Sequence, residues 1–350
     1  MGWGRALALI GATILWAPLT WAETFDERVE ALVRPLANGL SSIVFYKIDL
    51  FGHGFPLIVL WLAVAALFFT VYMGFINIRG FGLAIRHVRG HYHNPEANGE
   101  ISHFQAVATA VSGTVGIGNI GGVAVAIVIG GPGAAFWLIV AGFLSMSTKL
   151  VECTLGVKYR RYNDDGSVSG GPMYYLEHYL SSRGAPRWGK LLGGFYALSL
   201  VIGCLGIGNM FQSNQAYVQF VTITGGEQSF FAERGWLFGL LIAAAVALVL
   251  LGGLQSIARV AAHIVPFMAI LYCVSALIII AMSAAQIPAA IELIVGSAFS
   301  MQSATGGAVG AIIVGFQRAL FSNEAGIGSA SIAHSAVQTT EPASEGLVSL

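Results

Sequence analysis

Charge is scarce in this sequence. Of its 350 residues, 17 are Lys or Arg and 17 are Asp or Glu, so 10% of the chain is charged while 56% is hydrophobic. An ordinary soluble domain has about 25% charged residues. None of these four residue types occurs between Phe104 and Thr148. The composition excludes an ordinary soluble domain and indicates a membrane protein.

Cysteine is nearly absent as well. The three cysteines, Cys153, Cys204 and Cys273, are odd in number and all fall within hydrophobic stretches. This pattern argues against a disulfide framework. We interpret the three side chains as packing residues.

Long apolar runs, in contrast, are abundant. Most of them reach or exceed the ~20 residues that cross a bilayer as a helix. The runs cover residues 57–76, 104–129, 134–157, 191–222, 235–255, 263–284 and 304–334. The sequence therefore predicts an all-α polytopic membrane protein with seven spans.

The second apolar run contains the pattern G-x-G-x-x-G at Gly116, Gly118 and Gly121. In a dinucleotide-binding fold this pattern follows a strand, and an acidic residue for the ribose comes about 20 positions later. Here the sequence at that distance reads WLIVAGFLS, which contains no acid. We therefore predict neither a dinucleotide cofactor nor an enzyme.

Helix packing is the alternative interpretation of these glycines. Gly118 and Gly122 form a small-xxx-small pair, which lets two membrane helices approach closely. That explains two glycines, whereas seven lie between Gly113 and Gly131. So many glycines predict an interruption of the helix inside the membrane. Such an interruption is tolerated where the freed backbone groups line a cavity or meet a ligand.

The N-terminal region precedes the first apolar run. Residues 1–22 carry one Arg, a short apolar core and a small residue at the end. They resemble a cleavable secretory signal, with an uncleaved anchor as the alternative. Apolar residues on a helical period within 23–50 predict an amphipathic helix on the membrane surface. We assign 23–55 to a periplasmic segment and 56–350 to the membrane domain.

Positive charge predicts the orientation in the inner membrane. Two loops contain clusters of basic residues, and such loops stay in the cytoplasm. The mature N-terminus is then expected outside. The basic residues of the two loops are Arg79, Arg86, Arg89, Lys158, Arg160, Arg161, Arg183, Arg187 and Lys190.

The tripeptide G-I-G occurs at 116–118, 206–208 and 326–328. The first and third copies lie in similar contexts, TVGIGNIGGVA and NEAGIGSASIA. Four predicted spans separate these two copies, so the repeat period is five helices. An odd period inverts the second copy in the membrane, as in secondary transporters whose broken helices form the substrate and ion site at the midplane.

Several separate runs carry a resemblance to a known family. They are GTVGIGNIGGVA, GGPGAAFW, STKLVECTLGVKYR, GGPMYYL, GIGNMFQSNQ and FQRALFSNEAGIGSASIAH. Together they closely resemble the alanine/glycine:cation symporter family, from about residue 50 to the end of the chain. The first core helix also resembles that of the neurotransmitter:sodium symporters, which implies an unwound segment from Gly116 to Asn119.

The resemblance implies a LeuT-like core of two inverted five-helix repeats after one extra helix. It assigns the extra helix to 57–76, the first repeat to 104–284 and the start of the second repeat to 304–350. Family members continue with further helices. We therefore expect a core that is incomplete at the C-terminus, and no transport by residues 1–350 alone.

The resemblance also implies a function, the uptake of alanine or glycine coupled to sodium entry. Sodium is favoured because the glycine break supplies carbonyl groups and the first core helix contains no acid. Proton coupling, or a receptor or channel fragment that does not transport, are the alternatives. We expect a monomer in the lipid bilayer, with no enzymatic cofactor and no nucleic-acid partner.

A zwitterionic amino acid needs free N–H groups for its carboxylate and oxygen atoms for its ammonium group. Gly116, Ile117 and Gly118 suit the carboxylate, and Asn119 is predicted to orient the substrate, with an interhelical hydrogen bond as the alternative. The predicted substrate-binding residues are Thr114, Gly116, Ile117, Gly118, Asn119, Gln212, Phe316 and Phe321.

Other roles are implied by the resemblance or by charge. The resemblance places Gln212 at the pocket and makes the carbonyls of Ser112 and Val115 sodium ligands. Phe316 or Phe321 is expected to close the pocket, with packing as the alternative. Two charged residues flank the third G-I-G, and gating or pairing is predicted for them. They are Arg318 and Glu324.

Overall fold

The computed structural model describes residues 19–50, 53–92, 94, 96–300 and 307–350. Most of the predicted signal segment 1–22 and the first residues of the run 304–334 lie outside this part of the chain. The chain divides into two units, Met1–Trp61 and Leu62–Leu350.

The first unit contains a long helix and a hairpin. Helix α1 covers Leu19–Val44 and exposes apolar side chains along its second half, as expected of a helix that rests on a membrane surface. Strands β1 (Lys47–Leu50) and β2 (His53–Pro56) pair antiparallel. The prediction of helix up to residue 50 is wrong at its end. Strands of four residues are too short to show an alternating pattern within an apolar sequence.

The boundary between the two units falls within helix α2 (Leu57–Tyr72), and we call the second unit the membrane unit. Helix α2 is followed by the short helices α3 (Ile76–Arg79) and α4 (Phe81–Val88). Helix α5 covers His103–Thr114. Its start is fixed by a capping box, in which Ser102 and Gln105 each bond the backbone N–H of the other.

Helix α5 and helix α6 (Ile117–Gly130) are joined by two non-helical residues and bent by 45°. The predicted interruption is confirmed, but it is shorter than the resemblance implied. Gly118 and Asn119 already belong to the first turn of α6. The helix resumes early because the Asn119 side chain and backbone both bond to Gly116.

Helix α7 (Gly133–Lys158) packs against α6 of the first broken helix and against both parts of the second, α14 (Gly307–Asn323) and α15 (Ser329–Ser335). Glycines allow these close approaches. A Cβ built on Gly315 would lie 2.7 Å from the Cβ of Trp137, and one on Gly156 would lie 2.7 Å from the carbonyl oxygen of Ser331. Any side chain at either position would force the backbones apart.

A hairpin of β3 (Arg161–Tyr162) and β4 (Val168–Ser169) leads to helix α8 (Pro172–Ser182). The next span is continuous through three segments, α9 (Pro186–Gly203), a π-helix (Cys204–Phe211) and α10 (Gln212–Ile223). The second G-I-G therefore produces a π-helix and no break. The π-helix keeps its backbone groups bonded within the helix, with one more residue in each hydrogen-bonded turn.

The remaining helices complete the described chain. A single turn of 3₁₀ helix precedes α11, and another precedes α13. The helices are α11 (Gly235–Leu250), α12 (Gly253–Met282), α13 (Ile287–Phe299), α14 (Gly307–Asn323), α15 (Ser329–Ser335) and α16 (Pro342–Val348).

Among the residues that the structure describes, three helices are long and apolar enough to cross a membrane: α7, the continuous helix Pro186–Ile223, and α12. The bent pair α5–α6 makes a fourth. A helix lies in each of the seven predicted runs, but α2 and α11 have 16 residues each and are shorter than predicted. The last run is divided into α14 and α15, and the apolar helix α13 was not predicted.

Candidate functional site

The first break exposes the N-terminal end of α6. The N–H of Gly116 donates to Asn119 Oδ1 at 3.0 Å, and the N–H of Ile117 donates to Gln212 Oε1 at 3.2 Å. Both are donors of the kind that a helix N-terminus leaves unpaired. Amide oxygens therefore accept from both of these N–H groups. Gln212 lies at the break but is not among the residues that line the cavity. Its predicted place in the pocket stays a prediction.

Asn119 connects the two broken helices. Its Nδ2 donates to the carbonyl oxygen of Ser322 at 3.4 Å, while its Oδ1 accepts from Gly116. The structure thus contains the interhelical hydrogen bond that was one of the two predicted roles. Contact with a substrate stays a prediction.

The second break lies between α14 and α15. Three of its five residues, Glu324, Gly326 and Gly328, have positive φ angles of 54°, 87° and 91°. Such a conformation is rare for a residue with a side chain, and it costs of the order of 1–3 kcal/mol. Glu324 is held there by its side chain, which accepts from Ser329 Oγ at 2.5 Å. The predicted pairing of Glu324 is therefore a bond across its own break.

Arg318 lies on α14, before the second break, and is partly buried. Its side chain forms no ion pair with Glu324, although the structure describes both residues. A role of Arg318 in gating stays a prediction.

Glu152 of α7 binds the second break directly. Its Oε2 accepts the N–H groups of Gly326 at 2.9 Å and Gly328 at 3.1 Å. Lys149 lies 3.7 Å from the other carboxylate oxygen and donates to the carbonyl of Asn323 at 2.9 Å. A buried carboxylate thus occupies a concave group of backbone N–H donors, the arrangement that proteins use to hold anions.

A cavity of about 210 Å³ separates the two breaks. One water needs only ~10–15 Å³ by this measure, so the cavity has room for a small solute. Helix α7 forms one wall. The lining residues are Thr114, Val115, Asn119, Gly142, Ser145, Met146, Lys149, Ser322, Asn323, Ala325, Ser349 and Leu350.

Several predicted residues lie elsewhere. Phe316 packs with its ring centroid 6.4 Å from that of Trp137, and Phe321 is 48% exposed. Neither is among the residues that line the cavity. Closure of the pocket by Phe316 or Phe321 stays a prediction. The Ser112 side chain bonds the carbonyl of Thr109 within its own helix.

The packing interpretation of Gly118 and Gly122 is wrong for the part of the chain that the structure describes. A Cβ built on either glycine would meet no heavy atom within 4 Å. A helix seam requires a second backbone at contact distance. The side of the first break that carries Gly118 is instead open.

Sequence reasoning missed one contact at this site. Lys149 and Glu152 are one turn apart in the sequence, a spacing that favours an ion pair within one helix. The bonds of Glu152 to the second break were not predicted, because that break lies 174 residues further along the chain. An acid within an apolar span is itself a signal of function.

Two helices are broken inside an apolar, mostly helical unit, and a small cavity lies between the breaks. Discontinuous helices of this kind are typical of secondary transporters. The fold and the site thus define a membrane transporter. A model of the sodium:alanine symporter family matches residues 39–350. The chain belongs to the sodium:alanine symporter family, and it is not an enzyme.

Individual relatives agree with this assignment. The chain is 40% identical over 296 residues to the sodium/alanine symporter AgcS of Methanococcus maripaludis. This alignment covers 84% of this chain and 63% of that protein. It is 41% identical over 312 residues to an uncharacterized transporter of Haemophilus influenzae, with 88% and 65% covered. It is 36% identical over 283 residues to the amino-acid carrier protein AlsT of Bacillus subtilis, with 81% and 57% covered. The chain thus spans less than two thirds of the length of these relatives.

Proposed function

We propose that the complete gene product takes up a small neutral amino acid, alanine or glycine, together with sodium through the inner membrane. The observation that carries this proposal is the cavity between the two breaks, with backbone N–H donors of the first break beside it. The name of the archaeal relative, sodium/alanine symporter, supports the same substrate and ion.

The substrate carboxylate would bind at the N-terminal end of α6. Ile117 presents its N–H to Gln212 Oε1, an acceptor that a carboxylate can replace. Gly116 permits the approach, since a Cβ there would lie 3.1 Å from the same oxygen. The positive end of the helix dipole favours an anion at this point.

The sodium ion would bind at the C-terminal end of α5. In an unbroken helix the carbonyl of Ser112 would accept the N–H of Gly116, but that N–H bonds to the side chain of Asn119. The break therefore frees the Ser112 carbonyl. Val115, the first residue after α5, has an extended conformation. Carbonyl oxygens at the negative end of a half-helix suit a hard cation.

We further propose the LeuT-like inverted repeat and the orientation with the arginine-rich loops in the cytoplasm. The breaks after Thr114 and after Asn323 fall in the helices that the repeat makes equivalent. In this orientation α5 and α15 are the cytoplasmic halves of the two broken helices, and α6 and α14 are the outer halves.

Proton coupling is the second candidate. Two acids, Glu152 and Glu324, lie at the second break, where a proton could be carried with the substrate. The relative named putative sodium/proton-dependent alanine carrier protein of Bacillus subtilis is 39% identical over 249 residues, 71% of this chain and 48% of that protein.

Reconstituted uptake distinguishes the two ions. The longest open reading frame that contains this sequence is expressed, purified and placed in liposomes at clamped membrane potential. We expect labelled alanine or glycine to accumulate when a sodium gradient is imposed at equal pH on both sides. Equal uptake with potassium in place of sodium would contradict sodium coupling. Accumulation driven by a pH gradient without sodium would establish the proton alternative.

Cysteine labelling tests the orientation. Cys204 and Cys273 are replaced by Ser, and the fully buried Cys153 is retained. A cysteine at exposed Asn163 is expected to resist an impermeant thiol reagent added outside intact cells, while one at exposed Gly225 reacts. The opposite pattern would invert the proposed topology.

A further inference from the structure

One buried carboxylate joins three helices on a single face of the membrane unit. Glu345 of α16 is fully buried, and its two oxygens lie 2.5 Å from His103 Nδ1 and 2.5 Å from His334 Nδ1. His103 is the first residue of α5, and His334 lies in the last turn of α15. Both imidazoles are buried as well. We call these three residues the histidine–glutamate cluster.

The histidine–glutamate cluster joins one half of each broken helix. Helix α5 is the half-helix before the first break, and α15 is the half-helix after the second break. Both lead from the cavity to the same face of the unit. Thr114 at the end of α5 and Ala325 shortly before α15 line the cavity. Glu345 ties the two half-helices together at the face to which they lead.

Other polar contacts close the same face around the cluster. The guanidinium of Arg160 donates to the carbonyls of Ser335 at 2.8 Å, Val337 at 2.6 Å and Thr339 at 2.7 Å. The segment before α5 pairs with the segment after α15 through the isolated bridge Ile101–Val337. These bonds use a permanently charged group or the backbone, so they do not respond to pH near neutrality.

Two other titratable residues, His87 and Cys153, lie near the cluster. From α4, the ring of His87 lies 5.8 Å from that of His103. Burial lowers the pKa of His87, and His103 lowers it further against an opposing effect of Glu345. From α7, the thiol of the buried Cys153 is the group within electrostatic range of Glu345.

We propose that Glu345, His103 and His334 form a pH-sensitive latch that holds the cytoplasmic half-helices α5 and α15 together. Imidazole is the side chain that ordinarily changes charge between pH 5 and 8. A protonated imidazole that donates to a carboxylate makes a charge-assisted bond, about twice as strong as a neutral one. Acid on the cytoplasmic side therefore strengthens the latch, and alkali weakens it. This inference rests on the proposed transport function and orientation.

The test measures access to the cavity from the cytoplasmic face. A cysteine replaces Thr114, which lines the cavity, in the complete gene product with Cys204 and Cys273 replaced by Ser. Its labelling rate by an impermeant reagent is measured from each face at pH 6 and pH 8. Each rate is divided by that of an exposed cysteine on the same face, at Asn163 for the cytoplasmic face and at Gly225 for the outer face, which removes the pH dependence of the thiol itself.

Three variants separate charge from structure. His103→Gln combined with His334→Gln keeps an N–H donor for each carboxylate oxygen but does not titrate. Glu345→Gln removes the ionised acceptor. His178→Gln, on the exposed side of α8, is the matched control.

From the cytoplasmic face, the normalised rate is expected to rise roughly fivefold between pH 6 and pH 8 in the parent protein and in His178→Gln. The double histidine variant should lose this rise, and Glu345→Gln should label rapidly at both pH values. A rise that persists in the double variant would overturn the latch, and so would slow labelling of Glu345→Gln. If Glu345→Gln fails to fold, the double variant decides.

Uptake in the same liposomes distinguishes the two proposals. If the parent protein takes up no alanine while the labelling follows the expected pattern, the proposed function is contradicted and the latch is still supported. Labelling that depends on pH from the opposite face would contradict the orientation.

Discussion

Replacing Glu152 by Leu should abolish transport. The change removes the acceptor of two buried N–H groups, those of Gly326 and Gly328. A buried donor left unpaired costs about 1–3 kcal/mol, so the second break loses about 2–6 kcal/mol in its observed geometry. Each 1.4 kcal/mol is a factor of ten, so the active geometry falls in population by roughly 30-fold or more. Initial rates of alanine uptake in liposomes measure the loss.

Two further variants show whether a loss of uptake comes from the geometry of the second break or from the loss of a charge. Glu152→Gln keeps an acceptor oxygen for both N–H groups and removes the charge beside Lys149, so partial activity there assigns the effect to geometry. Glu177→Leu is the matched control, because its carboxylate pairs with Arg161 at 2.9 Å on the surface, where an ion pair contributes about 0–1 kcal/mol. Uptake by Glu152→Leu within threefold of the parent, at equal protein in the liposomes, would refute the role of Glu152.

The broken first core helix was predictable because its cause is local. An apolar run of this length indicates a membrane helix, and several glycines within it weaken that helix. The extent of the break was not predictable. It is set by Asn119, whose side chain accepts from the N–H of Gly116, and the helix restarts three residues earlier than the resemblance implied.

The second copy of G-I-G shows the limit of a short motif. The letters GIGN occur at 116–119 and at 206–209, yet the first begins a helix after a break and the second lies within a π-helix. At the first copy, side-chain amide oxygens from Asn119 and Gln212 receive the freed N–H groups. The outcome depends on the partners of the motif, and these lie outside its own sequence.

The buried carboxylates were the hardest features to predict. Glu152 binds residues 174 and 176 positions away, and Glu345 binds His103 across 242 positions. Periodicity and spacing report neighbours on one helix, whereas these contacts depend on how distant helices pack. The sequence marks such residues only as charges beside or within apolar segments, which indicates function without naming a partner.

Asn119→Ala in the complete gene product should lower both substrate affinity and stability. The side chain bonds Gly116 on its own break and Ser322 at the other wall of the cavity. Each hydrogen bond contributes about 1 kcal/mol net, and more where a buried partner is left unpaired. If the amide also binds substrate, apparent affinity should fall roughly tenfold or more, since ~1.4 kcal/mol is a factor of ten.

Binding and thermal unfolding are measured on the same purified variant, because a structural bond and a substrate contact affect them differently. Asn163→Ala is the matched control, since it removes an exposed amide that bonds Ser167 and Ser169 on the β3–β4 hairpin, away from the cavity. It should leave affinity unchanged. A lower Tm of Asn119→Ala with parental affinity would remove Asn119 from the substrate site. A tenfold weaker affinity in the fraction that remains folded would place its amide on the substrate.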